Sequence, residues 1–279
     1  MSQQQIRNII EMSREDGPIT IGSVDLTVCN PAVVTEVFGH GLAFSGAVES
    51  EVATTAAVVR TITPHRSEQD EEFINVWEEQ EIMHGRIIEE YAQQLGLQLF
   101  PQRTSLPVSM KLAGLLARVS PGFHDVAQYY YRLMGVTGEK ETLGFYKNSV
   151  RTLEAIGEHP LAASLNRIAK QEGRHLAYYV LSSKEQRTQL RPWQHHAART
   201  LLEHAFLPVG IRFDRMYQER QRHVGRWLLH LSGGDLRALA NPVQALAEQV
   251  LGATAGEMSP FVLRRYQKSV NAYLAAEAA

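Results

Sequence analysis

Two segments of this chain each place a glutamate and a histidine, three residues apart, in the middle of an apolar helical stripe. Between 67 and 95, Ile74, Trp77, Glu81, His84, Ile88, Tyr91 and Leu95 recur at alternating spacings of three and four. Their side chains therefore share one face of a helix. Between 160 and 183, Leu161, Leu165, Ile168, Glu172, His175 and Tyr179 follow the same rhythm. A stripe of this kind is the face that a helix buries. An ionised carboxylate in such a face costs several kcal/mol unless something compensates its charge. Metal is the usual remedy. A di-metal carboxylate bundle takes a Glu-x-x-His pair from each of two helices and one glutamate from each of two others. The chain should then offer two more inward carboxylates, one before 67 and one between 96 and 160.

Between 96 and 160 the choice is Glu139 or Glu141. Glu139 is in phase with Val136, Leu143, Tyr146, Val150 and Leu153, whereas Glu141 shares a face with Met134, Phe145, Asn148 and Thr152. The apolar phase favours Glu139. Before 67 the choice is Glu49, which falls with Leu42, Ser45, Val52, Ala56 and Val59, or Glu51, which falls with Phe44, Val48, Thr55, Val58 and Ile62. Phase leaves both open and leans to Glu51. Four carboxylates balance two divalent cations, and two neutral imidazoles complete the set. An oxygen-rich site with few imidazoles suits iron or manganese, with zinc competing on raw affinity.

Composition narrows what else the chain could do. With 279 residues, 44% hydrophobic and 21% charged, it has the makings of a soluble globular protein with a large core. Lys plus Arg is 28 and Asp plus Glu is 30, a net charge of -2 that argues against coating nucleic acid. Cys29 is the single cysteine, so one chain holds neither a disulfide nor a Cys₄ zinc site nor an iron–sulfur cluster, and a reducing cytosol is the expected home. There is no G-x-G-x-x-G, and the run Gly135–Thr142 departs from a phosphate loop because Lys140 does not follow Gly138 directly. Redox chemistry would have to rest on the metals. No apolar run reaches the roughly 18–20 residues of a membrane span. The first residues show no basic start leading into an apolar core, so a cytoplasmic protein is expected.

The periodicity predicts helix nearly throughout and one all-α domain. The four ligand-bearing segments are placed at about 36–62, 67–95, 138–157 and 160–183. The first belongs to a longer pattern from Pro31, with a break near Gly39 and Gly41; the second is opened by Ser67 and Asp70 and closed by Gly96. Residues 97–137 read as less regular, with Pro101, Pro107 and Pro121 as breakers, and further helices fall near 192–206, 211–231, 235–251 and 260–277.

At these residues the chain resembles a known family. Trp77-Glu-Glu-Gln80-Glu81-Ile-Met-His84-Gly85, with Tyr91 and Gly96 beyond, resembles the W-x-x-E-E-x-x-H-G helix of the soluble acyl-acyl-carrier-protein desaturases, which are ferritin-like di-iron proteins. Gln171-Glu172-Gly-Arg174-His175 resembles their D-E-x-R-H. Glu139, followed by Thr142, Asn148, Arg151, Gly157, Leu161 and Ile168, fits their third ligand helix without a gap up to Glu172. Glu49-Ser-Glu51-Val52-Ala53-Thr-Thr55 aligns with their E-E-x-L-P-x-Y, which selects Glu49, and Leu207-Pro208 resembles a Met-Pro further on. The resemblance covers about 44–180. The chain departs from the pattern at Gln80 and Gln171, where the family has acids, and at Ala53 and Thr55, where it has Pro and Tyr.

The resemblance implies a ferritin-like four-helix bundle with added C-terminal helices. It implies two iron ions per chain, bound by Glu49, Glu81, His84, Glu139, Glu172 and His175. The implied reaction is O₂-dependent insertion of a double bond into an acyl chain carried on acyl carrier protein. Thr142 is given a catalytic part in proton delivery, electrons come from a ferredoxin-type donor, and the protein is a homodimer. Gln171 and the altered first motif keep open a hydroxylase or N-oxygenase of a small or carrier-bound metabolite; a ferritin-like iron-storing protein is a further reading. Arg220, Arg222, Arg226, Arg264 and Arg265 are candidates for docking the acidic carrier, though a solvated face is the simpler account, as it is for His195 and His196.

Overall fold

A computed structural model describes residues 2–101, 108–211 and 216–279. Among these the chain forms helices and no strand. In order they are α1 (Ser2–Asp16), a 3-10 turn (Ile21–Ser23), α2 (Pro31–Ser50), α3 (Val52–Ile62), α4 (Glu68–Gln94), α5 (Val108–Val119), α6 (Pro121–Ala155), α7 (His159–Arg187), α8 (Pro192–Ala205), α9 (Tyr217–Ser232), α10 (Leu236–Leu251) and α11 (Phe261–Glu277). The start of α4 is fixed as its sequence suggests. The Ser67 hydroxyl accepts from the Asp70 backbone N–H, and the Asp70 carboxylate accepts from the Ser67 N–H, so two otherwise orphaned donors are satisfied.

Four helices position the polar stripe residues. α6 packs along α7 and α2 along α4, with α1 laid across α7 and α4. Two buried apolar clusters result. One gathers Phe73, Trp77, Tyr129, Leu133, Val136 and Tyr178; the other gathers Leu42, Ile88, Tyr146, Leu153, Leu165 and Ile168. Along α4, α6 and α7 the chain leaves one cluster and enters the other at the turn that carries Glu81 and His84, Glu139, or Glu172 and His175. The polar residues therefore lie as a layer between two dry cores, where their charges are least screened. The C-terminal helices α9, α10 and α11 close over the α2–α6 side.

The structure differs from the periodicity at three places. The first long helix breaks at Glu51, between α2 and α3, and not at Gly39 or Gly41. Gly41 lies inside α2 because the Trp227 ring of α9 occupies the space of its side chain: a Cβ there would stand 2.3 Å from that ring. The third ligand helix starts not near Gly138 but at Pro121. Proline is well suited to a first helical position, where its missing N–H goes unneeded, and Ser120 caps the end by accepting from Phe123 N–H. The stretch 97–137 thus holds α5 and half of α6, while Pro107 lies outside the described residues, as does 212–215 of the helix expected at 211–231. Pro31–Ile62 is long and apolar enough, by length and composition, to cross a membrane, but 56% of its most apolar stretch is buried inside the fold. It also carries buried Glu49 and Glu51, as a core helix can when the acids have partners.

Candidate metal centre

Glu49 from α2, Glu81 and His84 from α4, Glu139 from α6, and Glu172 and His175 from α7 meet in one buried layer. They form two groups: Glu49, Glu81, His84 and Glu172 in one, Glu81, Glu139, Glu172 and His175 in the other, each with its ligand atoms within 4.8 Å of one another. Glu81 and Glu172 belong to both. Glu172 turns Oε1 toward His84 Nδ1 at 3.1 Å and Oε2 toward His175 Nδ1 at 3.3 Å. Glu81 does the converse, with Oε1 3.0 Å from His175 Nδ1 and Oε2 3.8 Å from His84 Nδ1. Two carboxylates span the pair of histidines, while Glu49 and Glu139 each close one side. Gly85 permits this. A Cβ on it would lie 2.6 Å from Ser50 Oγ and 2.9 Å from the Ser50 backbone nitrogen, so only glycine lets α4 approach α2 beside Glu49.

The surroundings orient the six side chains. Tyr146 donates to Glu49 Oε1 at 2.6 Å, and Trp77 Nε1 donates to Glu139 Oε1 at 3.1 Å. Behind the histidines stand two carboxamides. Gln80 Nε2 donates to the backbone oxygens of Ser13 and Gly17, and Gln171 Nε2 donates to Gly17 O. A carbonyl only accepts, so both amides are held with Oε1 toward the centre. Gln80 Oε1 lies 2.8 Å from His175 Nε2, and Gln171 Oε1 lies 2.8 Å from His84 Nε2. Each Nε2 must carry the hydrogen, which leaves Nδ1 as the lone-pair nitrogen facing the carboxylates. His84 Nδ1 and Glu172 Oε1, fully buried, face one another at 3.1 Å without the geometry of a hydrogen bond and have no other partner. Such orphaned atoms are what a metal ion would satisfy. Donor types, burial and orphaned atoms together fit a pair of divalent cations.

Without metal, the cluster shares protons to balance its charge. Burial pushes Glu49 and Glu139 well above the usual carboxylate range, and the neighbouring Glu81 and Glu172 charges push them further. Burial also works against Glu81, but hydrogen bonds from Glu49, His175 and His84 carry it well below that range. Burial and the Glu81 charge oppose ionisation of Glu172, which contact with both histidines nonetheless lowers. Burial alone would make the histidines less basic; contact with Glu172 and Glu81 outweighs it, raising His175 and lifting His84 to about 10.

The two alternatives considered for the ligand set are engaged elsewhere. Glu51 faces away and forms a buried bidentate pair with the Arg220 guanidinium of α9. Arg220 therefore belongs to the core and not to a docking face. Glu141 accepts from Tyr266 Oη at 2.5 Å and from Val209 N–H at 2.9 Å. This separates two variants. Glu51→Gln is expected to keep its metal but to break the buried ion pair with Arg220, costing about 3–5 kcal/mol because a buried charge loses its partner. Glu49→Gln is expected to lose metal at little cost to the metal-free fold. Metal analysis with thermal unfolding of both variants checks this; metal loss in Glu51→Gln alone would reverse the assignment.

One cavity of about 280 Å³ reaches the centre, with Glu49 in its wall. Its sides are apolar, built from Phe44, Val48, Phe145, Trp227, Leu228 and Leu239. Lys140, Lys147 and Arg151, one turn or two apart on α6, line it as well. These cations are on α6, whereas the docking candidates in the sequence are on α9 and α11; the spacings of seven and four along α6 are the signal that marks them. Thr142 lines the cavity too, and its hydroxyl makes no hydrogen bond among the described residues. By contrast Thr137 and Thr152 on the same helix bond back to carbonyls one turn earlier. His195 caps the Leu251 carbonyl, at 3.0 Å, well apart from the centre's residues. No family model, curated protein or solved structure matches this chain.

Proposed function

We propose that the chain is a ferritin-like, di-iron, O₂-dependent oxidoreductase that desaturates an acyl chain presented by acyl carrier protein. The observation that carries this reading is the apolar cavity walled in part by a carboxylate of the buried Glu/His centre. One glutamate from each of two helices with a Glu-x-x-His pair from each of two others is the ferritin-like donor arrangement. Two iron ions there would supply O₂ reduction and removal of hydrogen from an unactivated carbon. The chain supplies the rest. Its apolar walls hold a hydrocarbon segment against Glu49 and keep out water, and Lys147 and Arg151 suit an anionic carrier. Thr142, which lines the same cavity as Glu49, would pass a proton toward the centre through its hydroxyl. A ferredoxin-type donor and a homodimeric assembly complete the proposal. A second reading, oxygen insertion into a small or carrier-bound metabolite, is favoured by Glu141, a carboxylate in the cavity wall that could hold a polar group of such a substrate.

The test is a single turnover. Protein loaded anaerobically with ferrous iron is mixed with acyl carrier protein bearing chains of several lengths, then exposed to O₂, and the chains are analysed by mass. Loss of two hydrogens supports desaturation; gain of oxygen supports the second reading; unchanged chains with all carriers overturn both for acyl substrates. In the same assay Thr142→Val is expected to retain metal and fold while product falls roughly 100-fold, the scale of a lost proton-transfer group, with oxygen still consumed. Normal yield and coupling would remove Thr142 from the mechanism.

A further inference from the structure

Glu141 is a carboxylate in the wall of the largely apolar cavity, and no cation pairs with it among the described residues. It accepts one hydrogen bond on each oxygen, from Tyr266 on Oε1 and from Val209 N–H on Oε2. Both donors are neutral. Lys140, Lys147 and Arg151 line the same cavity, yet none forms an ion pair with it. A carboxylate oxygen has room for two acceptor contacts, so each oxygen keeps unused capacity. A carboxylate in apolar surroundings is costly unless a cation answers it. The residues that touch Glu141 hold it in place, α11 through Tyr266 and the 208–209 segment through Val209, without neutralising it. A glutamine would tie those elements together as well; an acid that burial lifts to about 7 differs from it in taking a full negative charge when a cation arrives beside it.

We propose that Glu141 is a specificity-determining residue that receives a protonated amine of the substrate, so that the cavity takes an apolar chain bearing an ammonium group. A primary ammonium offers three N–H donors and a full positive charge, which match the unused acceptor positions and the missing counter-charge. Phe44, Phe145, Trp227 and Leu228 take the attached hydrocarbon. Tyr266 is a positioning residue: its hydroxyl fixes the carboxylate's orientation. The proposal rests on the cavity being the substrate site and narrows the substrate class.

Binding of n-octylammonium, n-octanol and octanoate to the full chain tests it, by calorimetry at neutral pH, with and without zinc as a redox-inert stand-in for iron. The expected result is that n-octylammonium binds at least about tenfold more tightly than either other probe, the size of a charge-assisted hydrogen bond. Glu141→Gln is expected to abolish that preference while n-octanol binds as before, which shows the pocket intact. Equal binding of the three probes by the unaltered protein, no binding of any, or a preference that survives in Glu141→Gln would overturn the proposal. Should the variant misfold, the selectivity of the unaltered protein still decides. Metal analysis of the same preparations separates the two claims: two ions without amine preference removes this inference alone, and amine preference without metal removes the di-iron reading alone.

Discussion

Glu81→Ala and Glu172→Ala are each expected to abolish binding of both metal ions, while Glu49→Gln and Glu139→Gln each lose one. The difference follows from geometry. Glu81 and Glu172 belong to both ligand groups and present one oxygen toward each histidine, whereas Glu49 closes only the His84 side and Glu139 only the His175 side. Removing a shared carboxylate takes a ligand from both positions and leaves two cations with one carboxylate fewer between them, at close range in a dry layer where repulsion is poorly screened. Removing an outer carboxylate spares the other position. Elemental analysis after anaerobic loading should fall from two ions per chain to none in the first pair and to one in the second. Two ions retained in both alanine variants, with the fold intact by circular dichroism, would show that the layer is not a metal centre.

How much of this was legible in the sequence depends on how local the determinant was. The Glu-x-x-His pairs could be read because helix geometry alone fixes which side chains share a face, and Ile74, Trp77, Ile88 and Tyr91 mark that face as buried. Glu139 over Glu141 followed from the same logic. Glu49 over Glu51 did not: phase leaned the other way because α2 and α3 were read as one continuous helix, and the break at Glu51 resets the phase between them. What turns Glu51 outward is Arg220, 169 residues further along, a contact that no local pattern announces. Gln80 and Gln171 stood out only as departures from a family motif. Their role became visible once α1 was seen to bring the Ser13 and Gly17 carbonyls behind them. Pro121 illustrates the opposite case: proline breaks a helix in its interior, yet at the first position it begins the longest helix among the described residues.

Those carboxamides bear on the last expectation. Gln80 and Gln171 are neutral, so no negative charge stands behind either imidazole, and the protons on the metal-free centre are held by the centre itself. Glu81 and Glu172 are drawn below the usual range, which favours their ionised forms. His84 and His175 are drawn upward, as are Glu49 and Glu139, which favours proton uptake at all four. Cations bound by four carboxylates and two neutral imidazoles would displace those protons, so filling the centre near neutral pH should release more than about one proton per chain. The sign is definite: low pH favours the protonated, metal-free form, and affinity climbs as pH rises. Zinc titrated calorimetrically in buffers of different ionisation enthalpy reads the count directly from the slope of observed heat against buffer heat. Glu49→Gln should reduce it, since that variant has one fewer proton to lose and one fewer ion to gain. Release of less than about one proton per chain would mean that the metal-free cluster is already ionised as a set of ligands. In that case its four buried carboxylates would have to be stabilised by something other than the two histidines.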